Sequence, residues 1–294
     1  MTDTVLIDEL LTALTLTPVA PDVFEAPSFD FVGARVFGGQ VLAQALMAGA
    51  LTLDVDKPCH SLHGYFLTGG DIRYPVVYQV RRLRDGRSLS ARQIVAVQYV
   101  PTDDGKKEQV IFSMMASFSP MEGGLDYQPA MPTYPDPHLL KDEQHLKSSY
   151  IDSIPDYLQA RFMKERHVQI RPINPRHPLT PKPDTPRQAH WLRVNIDNQP
   201  LAIHQALLAF ASDYYLVGTG LMSHGLSYAS RGLQIASIDH SMHFHRPFDV
   251  SDWLLYEMWS DTTSHAKGLN HGQFWQHGNL IATTQQEGLM RMLA

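Results

Sequence analysis

Three polar side chains, Asp213, Ser237 and Gln286, fall in otherwise apolar elements of this chain, and they are where chemistry is first sought. Residues 233–248 read as a core strand whose alternation sends Ile235, Ser237, Asp239 and Ser241 to one face and Ala236, Ile238, His240 and Met242 to the other. A polar face inside an apolar strand marks a place for a site. The same segment has a partner, because His-Ser-Met-His at 240–243 matches His-Ser-Leu-His at 60–63 with an offset of 180 residues. One unit is therefore written twice. Aligning Gln40 with Gln205 sets Ala48 opposite Asp213, and aligning 110–111 with 280–281 sets Ala116 opposite Gln286. The second half carries polar groups where the first carries alanine, as when one copy keeps a site and the other becomes scaffold.

Each group has a plainer reading when taken alone. An aspartate near a helix end is usually solvated, a strand glutamine can be an edge amide, and a serine can bond a neighbouring carbonyl. Convergence across helix and sheet is what would make them a site. Other chemistries find less support. His243 and His245 share a strand face, but among 15 histidines there is no H-E-x-x-H run and no Cys/His cluster to complete a metal site. The run Gly225-Leu-Ser-Tyr-Ala229 ends in alanine where a nucleophile elbow needs glycine, and no glycine-rich phosphate or dinucleotide loop occurs. No metal and no cofactor are expected.

A chain of 294 residues at 44% hydrophobic can bury a full core, and its length suggests about two domains. A formal charge of −6 without a basic run argues against nucleic acid, although local cations can still hold an anionic small molecule. No apolar run is long enough to span a membrane, and the first residues lack a basic segment followed by an apolar one. The single cysteine, Cys59, excludes an internal disulfide and reads as a buried thiol in a reducing compartment. A cytoplasmic protein is expected.

The elements that must position the three residues follow from periodicity. After an amphipathic helix at 5–15, extended chain leads to a helix at 40–51, apolar nearly all round, with Ala45, Ala48 and Gly49 as a small-residue stripe for close sheet packing. Strands follow at 60–67, 76–83, 88–99 and 109–119, with Asp85-Gly86 as a tight turn. Residues 120–186 hold 12 of the 20 prolines and form the boundary, with helical spacing at 139–165 broken by Pro155. The second unit predicts strands at 167–172 and 190–197, a helix at 201–216 with Ile203, Leu207, Phe210 and Tyr214 in its core stripe, and strands at 233–244, 252–259, 266–276 and 279–290. A buried helix against an antiparallel sheet is an α+β unit. The division is residues 1–125, a linker with helix at 126–165, and 166–294 carrying the polar trio.

With these segments in hand, the chain resembles the bacterial acyl-CoA thioesterase II family nearly end to end. The resemblance rests on Arg-Val-Phe-Gly-Gly-Gln-Val at 35–41, His-Ser-Leu-His-Gly-Tyr-Phe at 60–66, Leu-Arg-Asp-Gly-Arg-Ser at 83–88 and Ala-Ser-Asp at 211–213. It continues through Gln-Ile-Ala-Ser-Ile-Asp-His-Ser-Met at 234–242, Phe-His-Arg-Pro-Phe at 244–248 and Gln-Glu-Gly at 286–288. It implies a double hotdog, two tandem units each with a long helix wrapped by an antiparallel sheet. It also implies a catalytic Asp, Thr and Gln, which fall on Asp213, Ser237 and Gln286, with serine in place of the usual threonine. The implied reaction is hydrolysis of fatty acyl-CoA to free acid and CoA by a water that Asp213 activates and hydrogen-bond donors position. Backbone amides near a glycine or helix start are the natural oxyanion donors, and an apolar tunnel must take the acyl chain. A homo-oligomer, dimer or tetramer, is expected. Two other readings share the fold: a hydratase or dehydratase of acyl-CoA with a histidine and a carboxylate as its acid and base, and a silent acyl-CoA-binding module.

Overall fold

The structure, a computed structural model, describes residues 3–33, 35–54 and 57–293. Met1 and Thr2, part of the segment read above for a targeting signal, lie outside the described residues. The first unit runs α1 (Asp3–Ala13), β1 (Thr17–Ala20), β2 (Val23–Ala26), α2 (Gly38–Ala50), β3 (Cys59–Phe66), β4 (Val76–Asp85), β5 (Ser90–Thr102) and β6 (Gly105–Phe118). The connection carries α3 (Glu143–Tyr150) and α4 (Asp156–Phe162). The second unit runs β7 (Gln169–Pro172), β8 (Arg187–Arg193), α5 (Leu201–Ser212), β9 (Leu233–Ser237), β10 (Asp239–Phe244), β11 (Leu254–Ser264), β12 (Lys267–Gln276) and β13 (Asn279–Met292). Buried helix followed by antiparallel strands occurs twice, as the repeat requires.

All these strands join one sheet in the order β1-β2-β4-β5-β6-β3-β10-β13-β12-β11-β8-β7, with β9 also on β13. The two units meet where β3 pairs antiparallel with β10, and Leu62 faces Met242. Those residues are themselves 180 apart in sequence, so the pair marks the local two-fold axis of the duplication. The copies are not superimposable along the next strand. Leu62 faces Ala116 on β6, whereas Met242 faces Thr284 on β13. The ladder therefore puts Phe118, not Ala116, in the place of Gln286, two residues away from the sequence alignment.

The helices lie inside the curve of the sheet and pack on each other. Ala43, Ala45 and Ala48 of α2 and Ala206 and Ala209 of α5 are fully buried, because only small side chains let backbones approach this closely. A Cβ on Gly49 would sit 3.2 Å from the Phe118 ring. Gln205 of α5 reaches across the units, accepting from Cys59 N at 3.0 Å and donating to Cys59 O at 2.7 Å. Cys59 is buried and unpaired, and burial pushes its thiol up to about 12, which leaves it inert.

Two expectations are corrected by local geometry. The helix read to residue 216 ends at Ser212, since Tyr215 takes a left-handed φ of 65° that no continuing α-helix tolerates. The Arg166 guanidinium lies 4.6 Å from the centre of the Tyr214 ring and 5.3 Å from that of Tyr215, and Tyr215 OH donates to half-buried Glu143 on α3. The linker thus clamps the turn that follows Asp213. The strand at 233–244 is also broken. Ser237 faces Gly288 and Ser241 faces Gln285, so the β9–β10 run spends one more residue than β13, a β-bulge. Ile238 N donates to Glu287 O at 2.8 Å, and Glu287 N donates to Asp239 Oδ1 at 2.6 Å, which pins the bulge. Alternation resets there, so Ser237 and His240 both turn inward, and Asp239 instead meets His63 Nε2 at 3.0 Å.

Candidate active site

Asp213 is the C-cap of α5, with φ −80° and ψ −11°. The helix, buried from His204 to Ser212, brings its carboxylate to the N-terminus of α2 in the other unit, where Gly39 N donates to Asp213 Oδ2 at 2.9 Å. The N-cap of α2, Phe37, supplies no side-chain bond, so Asp213 supplies the missing acceptor across the unit boundary. The positive end of the helix dipole favours a carboxylate there. Gly38 and Gly39 are required by this approach: a Cβ on Gly38 would fall 2.6 Å from Asp213 Oδ2, and one on Gly39 would collide with Phe210 O.

Ser237 and Gln286 converge on the other carboxylate oxygen. Ser237 Oγ donates to Asp213 Oδ1 at 3.3 Å, and Gln286 Nε2 donates to the same oxygen at 2.6 Å. A carboxylate at that distance selects the nitrogen of the amide, so Gln286 Oε1 must point the other way. That oxygen is buried and has no protein partner among the described residues. A buried acceptor of this kind is costly unless a ligand or water supplies a donor, which makes it a natural seat for a reacting water. The three residues read from sequence are thus brought together, one from the end of α5, one from the bulge and one from β13.

Burial dominates the electrostatics. It pushes the Asp213 carboxyl above the ordinary carboxylate value, while the bonds from Gln286, Gly39 and Ser237 pull the other way. A raised value makes Asp213 a better base than an unperturbed aspartate at neutral pH. Tyr256 OH donates to Ser212 O at 2.8 Å and so fixes the backbone just before it.

Sequence reading missed two participants. The Gly39 amide is spent on holding Asp213, and the signal for it was the Gly38-Gly39 pair before a helix. His240 is the second: its Nδ1 lies 3.0 Å from Gln286 Nε2, with the ring fully buried. Burial lowers its pKa to about 3, so it is neutral in the working range and is no acid or base for a hydratase pathway. His243 is exposed, and His245 Nε2 lies 3.0 Å from Thr283 Oγ1. No group of three His, Cys, Asp or Glu side chains gathers to hold a metal among the described residues. A cavity of about 430 Å³ opens between the two units, at the end of α2 and the start of α5, walled by Leu46, Met47, Phe118 and Leu201, and the trio does not line it. It is not the acyl tunnel expected beside the trio.

Comparison with known proteins agrees with the fold and extends over both units. Residues 157–289 match the family described as acyl-CoA thioesterase, and residues 26–119 match the acyl-CoA thioesterase N-terminal domain. The chain is 36% identical to acyl-CoA thioesterase 2 of Haemophilus influenzae over 288 residues, 97% of this chain and 98% of that protein. It is also 36% identical to human acyl-coenzyme A thioesterase 8, covering 96% of this chain and 88% of that one. Among solved structures it is similar to an acyl-CoA thioesterase II from Mycobacterium marinum, with 31% identity, TM-score 0.72 and coverage of 97% and 98%. A hot dog fold protein from Alicyclobacillus acidocaldarius, 19% identical with TM-score 0.70 and coverage of 96% and 98%, shares the fold. The double hotdog expected from sequence is the observed architecture.

Proposed function

The chain belongs to the acyl-CoA thioesterase family, and from that premise we propose that it hydrolyses fatty acyl-CoA to free acid and CoA with one water held by Asp213, Ser237 and Gln286. The observation that carries this reading is the convergence of Ser237 Oγ and Gln286 Nε2 on one Asp213 oxygen, with Gln286 Oε1 left to accept. A water donating to Asp213 and to Gln286 Oε1 has its lone pair free for the thioester carbonyl. As it attacks, its proton passes to Asp213, and the carbon–sulfur bond then breaks with that proton returned to the departing thiolate. No covalent intermediate with the protein is needed. The hydratase alternative would need a titrating histidine, and His240 is locked as a neutral ring.

The supporting role of the first unit is that it lends the Gly39 amide, and we take residues 1–125, 126–165 and 166–294 as first unit, linker and catalytic unit. A cytoplasmic location is supported by the lone buried Cys59, and no helix among the described residues is long and apolar enough to cross a membrane. A dimer or tetramer is supported by Tyr65 and Met115, large side chains exposed on the outer sheet face close to the two-fold pair Leu62 and Met242. The test of the activity is thiol release from acyl-CoAs of graded chain length. Turnover in the wild type and a kcat lower by about 100-fold or more in Asp213→Asn is the expected outcome; thioester cleavage at equal rates in both would reject the assignment.

A further inference from the structure

We propose that His240 is the positioning residue that fixes which way the Gln286 carboxamide faces, and that Ser212 and Thr284 hold His240 in the one tautomer able to do so. The inference rests on the trio reading above and assigns it a second layer. Two hydroxyls set the tautomer. Ser212 Oγ donates to Ala209 O at 2.8 Å, and Thr284 Oγ1 donates to Ser241 O at 2.8 Å. Each has thereby spent its only proton, so each can only accept from its remaining neighbour. That neighbour is His240 Nε2, 2.9 Å from both oxygens. The ring proton therefore sits on Nε2 and is shared between two acceptors.

A neutral imidazole carries one proton, so Nδ1 is bare and must accept. Gln286 Nε2 is the group it faces, at 3.0 Å. The amide's two protons are then both assigned, one to His240 Nδ1 and one to Asp213 Oδ1, and the carbonyl oxygen is left pointing into the site. Reversing the tautomer would set an N–H against an N–H. Gln286 would have to give up either Asp213 or His240, and a flipped amide would press its oxygen against the carboxylate. The ring is fully buried, so an unpaired ring nitrogen there is costly. The sequence places the participants on three elements: Ser212 on α5, His240 on β10, and Thr284 and Gln286 two apart on one face of β13, with Asp213 one residue past the helix end.

The redundancy of the two acceptors gives the test. In Ser212→Ala, Thr284 still receives the Nε2 proton, and in the isosteric Thr284→Val, Ser212 does, so each single variant should keep kcat within roughly three-fold of the wild type. The double variant leaves Nε2–H without an acceptor and favours the other tautomer. It should lose roughly 100-fold in kcat with KM nearly unchanged, the scale seen when an orienting contact in a hydrolytic site is lost. Restoring one hydroxyl, as in Ser212→Ala with Thr284→Ser, should recover the single-variant rate. Nitrogen-15 NMR of histidine-labelled protein reads the tautomer directly, with thermal unfolding run alongside to verify folding. Protonated Nε2 and bare Nδ1 in the wild type, and loss of that pattern in the double variant, are expected. A proton on Nδ1 in the wild type, or a double variant whose loss is only the product of the singles, would overturn the proposal. Should Gln286→Ala prove fully active, the trio reading falls while the tautomer result stands by itself; should Gln286→Ala be inactive and the double variant active, this inference alone fails.

Discussion

Replacing Gly38 by alanine separates the position of the base from the stability of the fold. The added Cβ would lie 2.6 Å from Asp213 Oδ2 and 3.1 Å from the Phe66 ring. The ring cannot retreat freely, because it packs on Phe112 with centroids 4.8 Å apart. The carboxylate must therefore move, by roughly 0.4–0.8 Å to reach an ordinary contact, against the Gly39 amide on one side and Gln286 on the other. Misplacement on this scale costs up to about 100-fold in rate, so kcat should fall between roughly ten-fold and 100-fold with a smaller change in KM. Backbone preference runs in the opposite direction. Gly38 is the first residue of α2 and is absent from the left-handed positions, so alanine should favour the helix by about 0.5–1 kcal/mol. Activity should drop while the melting temperature holds. Gly39→Ala is the control, since its Cβ meets Phe210 O and the Phe37 ring and should destabilise by about 1–3 kcal/mol through overpacking. The assays are thiol release from acyl-CoA and thermal unfolding. A fully active Gly38→Ala enzyme would refute the claim that the carboxylate must stand where it does.

The remaining expectations concern the trio, pH and metal. Ser237→Ala and Gln286→Ala should each lose turnover by more than they weaken binding, and the double variant should be much less impaired than the product of the singles because both act on one water; steady-state kinetics of all four proteins check this. Ser237→Thr should stay active, since the hydroxyl is kept and the extra methyl stiffens its rotamer. The acid limb of kcat/KM should fall above the ordinary carboxylate value, because Asp213 must be ionised and burial raises its pKa; the limb should vanish in the residual activity of Asp213→Asn, and His240, at about 3, should add none near neutrality. The same shift has a stability sign: a carboxyl held above its unfolded value favours the fold below about 3.8 and loses that contribution as pH rises through the folded value. Dialysis against a strong chelator should leave the rate intact, as neither exposed His243 nor His245 belongs to a cluster of three metal-capable side chains among the described residues.

Much of the architecture was legible because the duplication shows in the residues themselves. The match of 60–63 with 240–243 fell on the pair of strands that join the units, and the nearly all-apolar helix read at 40–51 and the core-striped helix read at 201–216 are the two that the sheet wraps. Asp213, Ser237 and Gln286 emerged as polar residues in apolar elements, and their convergence is what the coordinates add. What was illegible depended on pairing across the chain. A strand pattern of strict alternation placed Ser237 with Asp239 and Ser241, and one extra residue at the bulge moved Asp239 and Ser241 off that face. No periodicity in one strand can announce a bulge whose cause is the register of its partner. The end of α5 was hidden for a similar reason: nothing in Tyr214-Tyr215 stops a helix, whereas Arg166 and Glu143, some 50 to 70 residues earlier in the chain, hold the left-handed turn.

The asymmetry of the duplication also has a physical basis that alanine counting only partly anticipated. A carboxylate buried at the end of α5 is costly unless donors surround it, and one of its donors, the Gly39 amide, comes from the first unit. The first unit is therefore not passive scaffold, because it supplies the helix start that makes the buried Asp213 carboxylate tolerable in the other. The reciprocal place is built for packing instead. In the last turns of α2 the sequence alignment sets Ala48 against Asp213, and the ladder puts the Phe118 ring where the second unit has Gln286. The Phe118 ring packs on the last turn of α2, where a Cβ on Gly49 would lie 3.2 Å from it. Restoring one polar residue in the first unit should therefore bring burial cost without catalysis, since the cradle of donors around Asp213 is assembled from both units and from both layers of the site at once.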